Sequence, residues 1–126
     1  MQDFRASIFT RINSTEDPSK VESAVVNLFP DARLTVLKDG INGDPGDFSH
    51  LKDELKRLKM RDSARAHFKS CEIPGGIFFS LSKQAAFMKR VSLSTGIESP
   101  LGDIEIQSKT DDVSMFIELM VGGEES

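Results

Sequence analysis

The chain has 126 residues, a net charge of −4, 38% hydrophobic and 29% charged residues. That length fits one domain with enough core to fold without staples. No apolar run approaches the ~20 residues of a membrane span. The first residues lack the basic-then-apolar layout of a secretory signal. Cys71 is the only cysteine, so no internal disulfide can form, and a reducing cytoplasm is the expected location.

Residues 4–12 are apolar-rich and β-branched toward their end, which predicts a strand. Asp17 then offers a helix cap and Pro18 a first helical residue without an N–H to satisfy. Val21, Ala24, Val25, Leu28 and Phe29 follow at helical spacing, and Pro30 stops the helix. Leu34 and Val36, two apart, predict a second strand over roughly 32–38. Three glycines and a proline make 39–47 read as a loop. A long helix follows, with Asp47 or Ser49 as its cap. Its apolar stripe, Leu51, Leu55 and Leu58, gives way to a rotated one, Ala64, Phe68 and Cys71. The shift predicts a break near 59–62. Residues 73–76 end the helix and 77–81 form a strand. Residues 82–87 make one helical turn. Val91 and Leu93 predict a half-buried strand, 96–102 a turn, and Ile104 and Ile106 another strand. Thr110, Asp111 and Asp112 open a last helix with Val113, Phe116, Ile117 and Met120 on its apolar side and Gly122 as its stop. The expected order is β-α-β-α-β-β-β-α. The expected fold is a single α+β domain, a mixed or antiparallel sheet with helices packed on one face.

Charge is uneven. Between His50 and Arg90 there are ten Lys/Arg and four Asp/Glu; the rest of the chain has six and sixteen. Arg57, Arg61, Arg65 and Lys69 stand four apart, and a step of four turns a helix by only ~40°, so they share one flank. Such a row suits phosphate oxygens. It equally suits a solvated face neutralised by Asp53, Glu54 and Asp62, the commoner arrangement. Lys83 and Gln84 at a strand-to-turn junction read as contacts to phosphate or a base edge, or as a turn capped by Ser82 with Ala85 and Ala86 kept small for packing. Lys89 and Arg90 extend the same positive segment. Phe78 and Phe79 point to opposite faces of their strand. Core packing is the favoured reading of the phenylalanines, with an exposed stacking role the sharper alternative.

Catalytic and metal chemistry find little footing. His50 and His67 lie seventeen positions apart and a single cysteine completes no zinc spacing. The 40–47 segment lacks the Gly-Lys-Ser/Thr ending of a phosphate loop. No enzyme, cofactor or metal is expected.

Several segments together resemble an archaeal family of uncharacterised proteins. They are Thr15-Glu16-Asp17-Pro18-x-Lys20-Val21, Leu28-Phe29-Pro30-Asp31-Ala32 and Arg61-Asp62-x-Ala64-Arg65. Leu81-x-Lys83-Gln84-Ala85-Ala86-Phe87, Arg90-Val91 and Pro100-Leu101-Gly102-x-Ile104-Glu105 complete the set. The resemblance implies a fold like that of the ribosomal protein that holds 5S rRNA, and it implies no catalytic residues. Two expectations follow. The first is a non-catalytic RNA-associated module using Arg57, Arg61, Arg65, Lys69, Lys83, Gln84, Lys89 and Arg90. The alternative is a protein-interaction or scaffold module acting as a homodimer.

Overall fold

A computed structural model describes residues 5–46, 48–94 and 102–121. Among them, strands β1 (Arg5–Arg11), β2 (Arg33–Val36), β3 (Gly40–Asp44), β4 (Glu72–Ile73), β5 (Gly76–Ser82), β6 (Leu93–Ser94) and β7 (Asp103–Lys109) form one sheet. Its order is β2-β3-β1-β7-β5-β4, with β6 also on β5. Every pairing is antiparallel. The helices are α1 (Pro18–Leu28), α2 (Ser49–Arg57), α3 (Arg61–Ser70), α4 (Lys83–Phe87) and α5 (Val113–Val121).

Alternation decides the layering. Ile8 of β1, Ile77, Phe79 and Leu81 of β5, and Ile104 and Ile106 of β7 are all buried, and the helices meet them with Ala24, Val25, Leu28, Leu51, Leu55, Phe68, Phe116 and Met120. Rings close the core edge to face. Phe68 stands 5.0 Å from Phe79, and Phe48 bridges Phe29 at 5.9 Å and Phe116 at 5.8 Å. Phe29, Phe68, Phe79 and Phe116 are fully buried, and each such ring contributes about 1.5–3 kcal/mol relative to exposure. A smaller cluster of Ile12, Val21 and Ile41 seals the β1–α1 corner.

Local chemistry sets the boundaries. The Asp17 carboxylate accepts the Ser19 N–H at 2.9 Å, and Pro18 takes the first helical position. The helix expected to bend near 59–62 is two helices, with Lys59 at φ 57 between them. Ser49 lies inside α2, after Phe48, and among the described residues no side chain caps the helix. Asp47, residues 96–101 and Gly122, assigned above to a cap, a turn and a stop, lie outside the described residues.

The expected order of elements needs correction in two places. The 39–47 segment is no loop, because Gly40–Asp44 is strand β3, paired to both β1 and β2. Its glycines serve close backbone approach: a Cβ on Gly43 would fall 2.0 Å from the Arg33 carbonyl oxygen. A short hairpin strand, β4, also turns through Gly75 at φ 81 into β5. The half-buried strand expected around Val91 is only the two residues of β6.

Candidate functional site

The basic row does not survive as one surface. The break at Lys59 puts Arg57 on α2 and Arg61, Arg65 and Lys69 on α3. Arg57 donates to both carboxylate oxygens of Glu54, at 2.7 and 3.1 Å, and this holds the Glu54 carboxyl below its usual range. Arg65 is ion-paired with Glu118 of α5. Lys69 is exposed and shares a hollow of about 430 Å³ with Glu72 and Glu118. Acids therefore interleave the cations that the sequence places on one flank.

Lys83 requires the plainest correction. It is completely buried and cannot meet a phosphate. Its Nζ donates to the Arg11 carbonyl at 2.7 Å and to Glu16 Oε1 at 3.0 Å. Glu16 Oε1 also accepts the Asn13 backbone N–H and side-chain Nδ2, both at 2.9 Å. Burial pushes the Glu16 carboxyl upward, but the hydrogen bonds from Asn13 and Lys83 outweigh it, and its pKa falls below the ordinary value. The cluster clamps the β1–α1 loop onto the first turn of α4. Ser82 caps that turn by accepting the Ala85 N–H. Gln84, Lys89 and Arg90 are exposed, and Lys89 adopts φ 61.

Above the clamp, α1 and α4 enclose a groove of about 530 Å³. Thr15, Lys20, Ser23, Asn27 and Phe87 line it. Asn27 Nδ2 donates to the Ala86 carbonyl at 2.9 Å and fixes the two helices together. Two of the segments that carry the family resemblance, 15–21 and 81–87, thus meet across 60 residues of sequence.

The sheet face opposite the helices is the other surface of note. Ser7, Phe9 and Arg11 of β1, Asn42 of β3, Gln107 and Lys109 of β7, and Phe78 of β5 are exposed there. Phe9 is 43% and Phe78 38% accessible. Phe9 lies opposite Glu105 and Phe78 opposite Gln107, on the two strands flanking β7. The rings therefore stand ~10 Å apart across the strands and ~7 Å along them. Phe79, by contrast, is core, as the alternation of neighbours requires. Sequence reasoning missed Phe9; its only signal was odd-numbered parity with polar Ser7 and Arg11.

Among the described residues, no group of three or more His, Cys, Asp or Glu could hold a metal ion, and no helix is long and apolar enough to cross a membrane.

Fold and surfaces define a one-sheet antiparallel α+β protein, with helices on one face and polar and aromatic side chains on the other. The chain belongs to the UPF0201 family, archaeal proteins of unknown function. It is 35% identical over 109 residues to a UPF0201 protein of Methanothermobacter thermautotrophicus, covering 85% of this chain and 83% of that one. It is 34% identical over 125 residues to one of Pyrobaculum aerophilum, covering 90% and 86%. A segment of a UPF0200/UPF0201 protein of Archaeoglobus fulgidus matches 68% of this chain at 28% identity, yet is only 27% of that protein. Among solved structures, an uncharacterised UPF0201 protein superposes with a TM-score of 0.86 at 22% identity, covering 97% and 96%. The UPF0201 protein of Methanococcus jannaschii gives 0.84 at 25% identity with the same coverage. No family model matches the chain.

Proposed function

We propose that this chain is a non-catalytic RNA-associated binding module that meets unpaired bases on the uncovered face of its sheet. The observation that supports the reading most is the pair of exposed rings, Phe9 and Phe78, beside Asn42 and Gln107. Aromatic platforms on open sheets stack bases, and neighbouring amides can read their edges. Phosphate contacts in this reading fall to Arg11 and Lys109 on the same face, with the exposed Lys69, Lys89 and Arg90 as outlying charges. The interleaved row on α2 and α3 loses its lead role, and Lys83 has none. The likeness to the ribosomal protein that holds 5S rRNA remains part of the proposal.

The test is fluorescence anisotropy with labelled single-stranded and duplex RNA over a salt series. Preference for the single strand, with a shallow salt slope, is the expected result. Equal affinity for duplex with a steep slope would return the weight to scattered phosphate contacts.

A second reading, a protein-interaction module, draws on the Archaeoglobus fulgidus relative. There the matching segment belongs to a longer chain named for both UPF0200 and UPF0201. In this reading the chain works beside a UPF0200 protein, and co-purification of the two from one host would support it. Among the described residues β2 is the outermost strand on its side of the sheet, and Val36 on it and Leu37 just past it are 45% and 46% exposed; self-pairing in this reading would use that edge, and light scattering is the companion test for a homodimer.

A further inference from the structure

The middle strand of the uncovered face runs from acid to base. Glu105, Gln107 and Lys109 of β7 follow one another there at ~7 Å, the first half-buried and the other two exposed. Among the described residues, no hydrogen bond or ion pair engages any of the three side chains. A hollow of about 390 Å³ lies between β1 and β7, lined by Ala6 and Ser7 of one strand and Gln107 and Lys109 of the other.

Phe9 stands next along β1 from this hollow. It is paired in register with Glu105 on β7 and with Asn42 on β3. Directly opposed residues bring their Cβ atoms to ~5 Å, so the Glu105 carboxylate reaches the edge of anything stacked on the ring. The ring itself packs over bare backbone: a Cβ on Gly40 would fall 2.9 Å from Phe9 Cε1. Phe9 nonetheless stays 43% accessible.

A carboxylate beside a stacking ring is selective. It repels phosphate, and it can only accept hydrogen bonds. Uracil presents its N–H between two carbonyl oxygens, which a carboxylate also repels. Cytosine and adenine present one amino group beside a ring-nitrogen acceptor. Guanine presents two adjacent donors, N1–H and N2–H, which match the two carboxylate oxygens in a charge-assisted pair. The cation of the row stands ~13 Å from Glu105 along β7, at the far side of the hollow. We infer that this row binds one guanine nucleotide of an RNA strand. Its base stacks on Phe9 with the donor edge on Glu105, its ribose lies in the hollow against Ser7 and Gln107, and its phosphate meets Lys109. The inference rests on the RNA reading and gives that reading its base specificity.

The test is fluorescence anisotropy with a short labelled oligouridine whose central position is guanosine, inosine, adenosine or uridine. The wild type should bind the guanosine oligomer at least about fivefold more tightly than the uridine one. Inosine keeps N1–H but lacks the N2 amino group, so it should give up part of that advantage. Glu105→Gln, with its fold checked by an unchanged melt, should bind the guanosine and uridine oligomers alike. Lys109→Ala should weaken every oligomer equally and reduce the salt slope by about one. Equal affinity of the wild type for all the oligomers, tighter binding of another base, or full affinity for inosine would overturn the guanine assignment and leave the RNA reading standing. A guanosine preference that survives Glu105→Gln, or an unchanged slope in Lys109→Ala, would overturn it too. Binding of none of the oligomers at low salt would sink both.

Discussion

Replacing Lys83 by methionine would test the clamp between the β1–α1 loop and α4. The side chain keeps its length and apolar stem, but the ammonium that serves Glu16 and the Arg11 carbonyl disappears. The Lys83 side chain is fully buried and that of Glu16 only 7% exposed, so the carboxylate would be left with Asn13 alone. Breaking one half of a buried ion pair costs about 3–5 kcal/mol. Asn13 still supplies two donors, so the lower end, about 3 kcal/mol, applies here. For a domain of this size that is a fall in Tm of roughly 10–15 °C. Urea unfolding measures the loss directly, and an unchanged slope would show that the unfolded state is unaffected. The double variant Glu16→Gln/Lys83→Met should lose less than the two single losses added together, since neither half then strands a charge. A Lys83→Met loss under about 1 kcal/mol, within the range of an exposed pair, would refute the clamp.

Acid should weaken the same contact. The folded Glu16 carboxyl sits below its ordinary value of 4.5, so its stabilisation is present above that pH and is lost as pH falls through the folded value. Glu16→Gln should flatten the stability curve in that interval. His67 acts in the same sense at higher pH. Its folded pKa lies below 6.5, so its contribution is complete above 6.5 and declines as pH falls below it. His67→Gln should remove that part of the slope in a pH series of melts. Arg65→Ala should cost less than about 1 kcal/mol, because its pair with Glu118 is solvent-exposed; a larger loss in urea would mean the pair anchors α3 to α5. Gly76→Ala should cost more than about 2 kcal/mol, since the new Cβ would lie 2.1 Å from the Ser108 carbonyl oxygen. An unaltered melt would show that β5 and β7 can part locally.

Much of the architecture was legible because periodicity and capping are local. Asp17–Pro18 marks the start of α1, and the rotation from the Leu51 stripe to the Ala64 stripe marks the break at Lys59. β3 was hidden because its glycines look like turn chemistry. Gly43 is there because the β2 backbone approaches closely, and Gly40 because the Phe9 ring leaves a Cβ only 2.9 Å. Such contacts come from the partner strands β1 and β2, and the glycines' own neighbours in sequence do not announce them. β4 was missed because two residues carry no pattern. The site was less legible than the fold. The fate of Lys83 depends on Glu16, 67 positions away. Arg65 depends on Glu118, 53 positions away. Whether a charge faces solvent or a partner is a tertiary fact. The exposed rings were half legible: parity required one of Phe78 and Phe79 to face outward, but not which.

Single-stranded RNA binding by the wild type and by Phe9→Ala/Phe78→Ala, compared by anisotropy at one salt concentration, tests the central claim most directly. Stacking contributes about 1–3 kcal/mol per base. The double variant should therefore bind at least about 25-fold more weakly, with its melting temperature lowered by no more than a few degrees, because both rings are surface side chains. Equal affinity of the two proteins, or no binding by the wild type at low salt, would contradict the account.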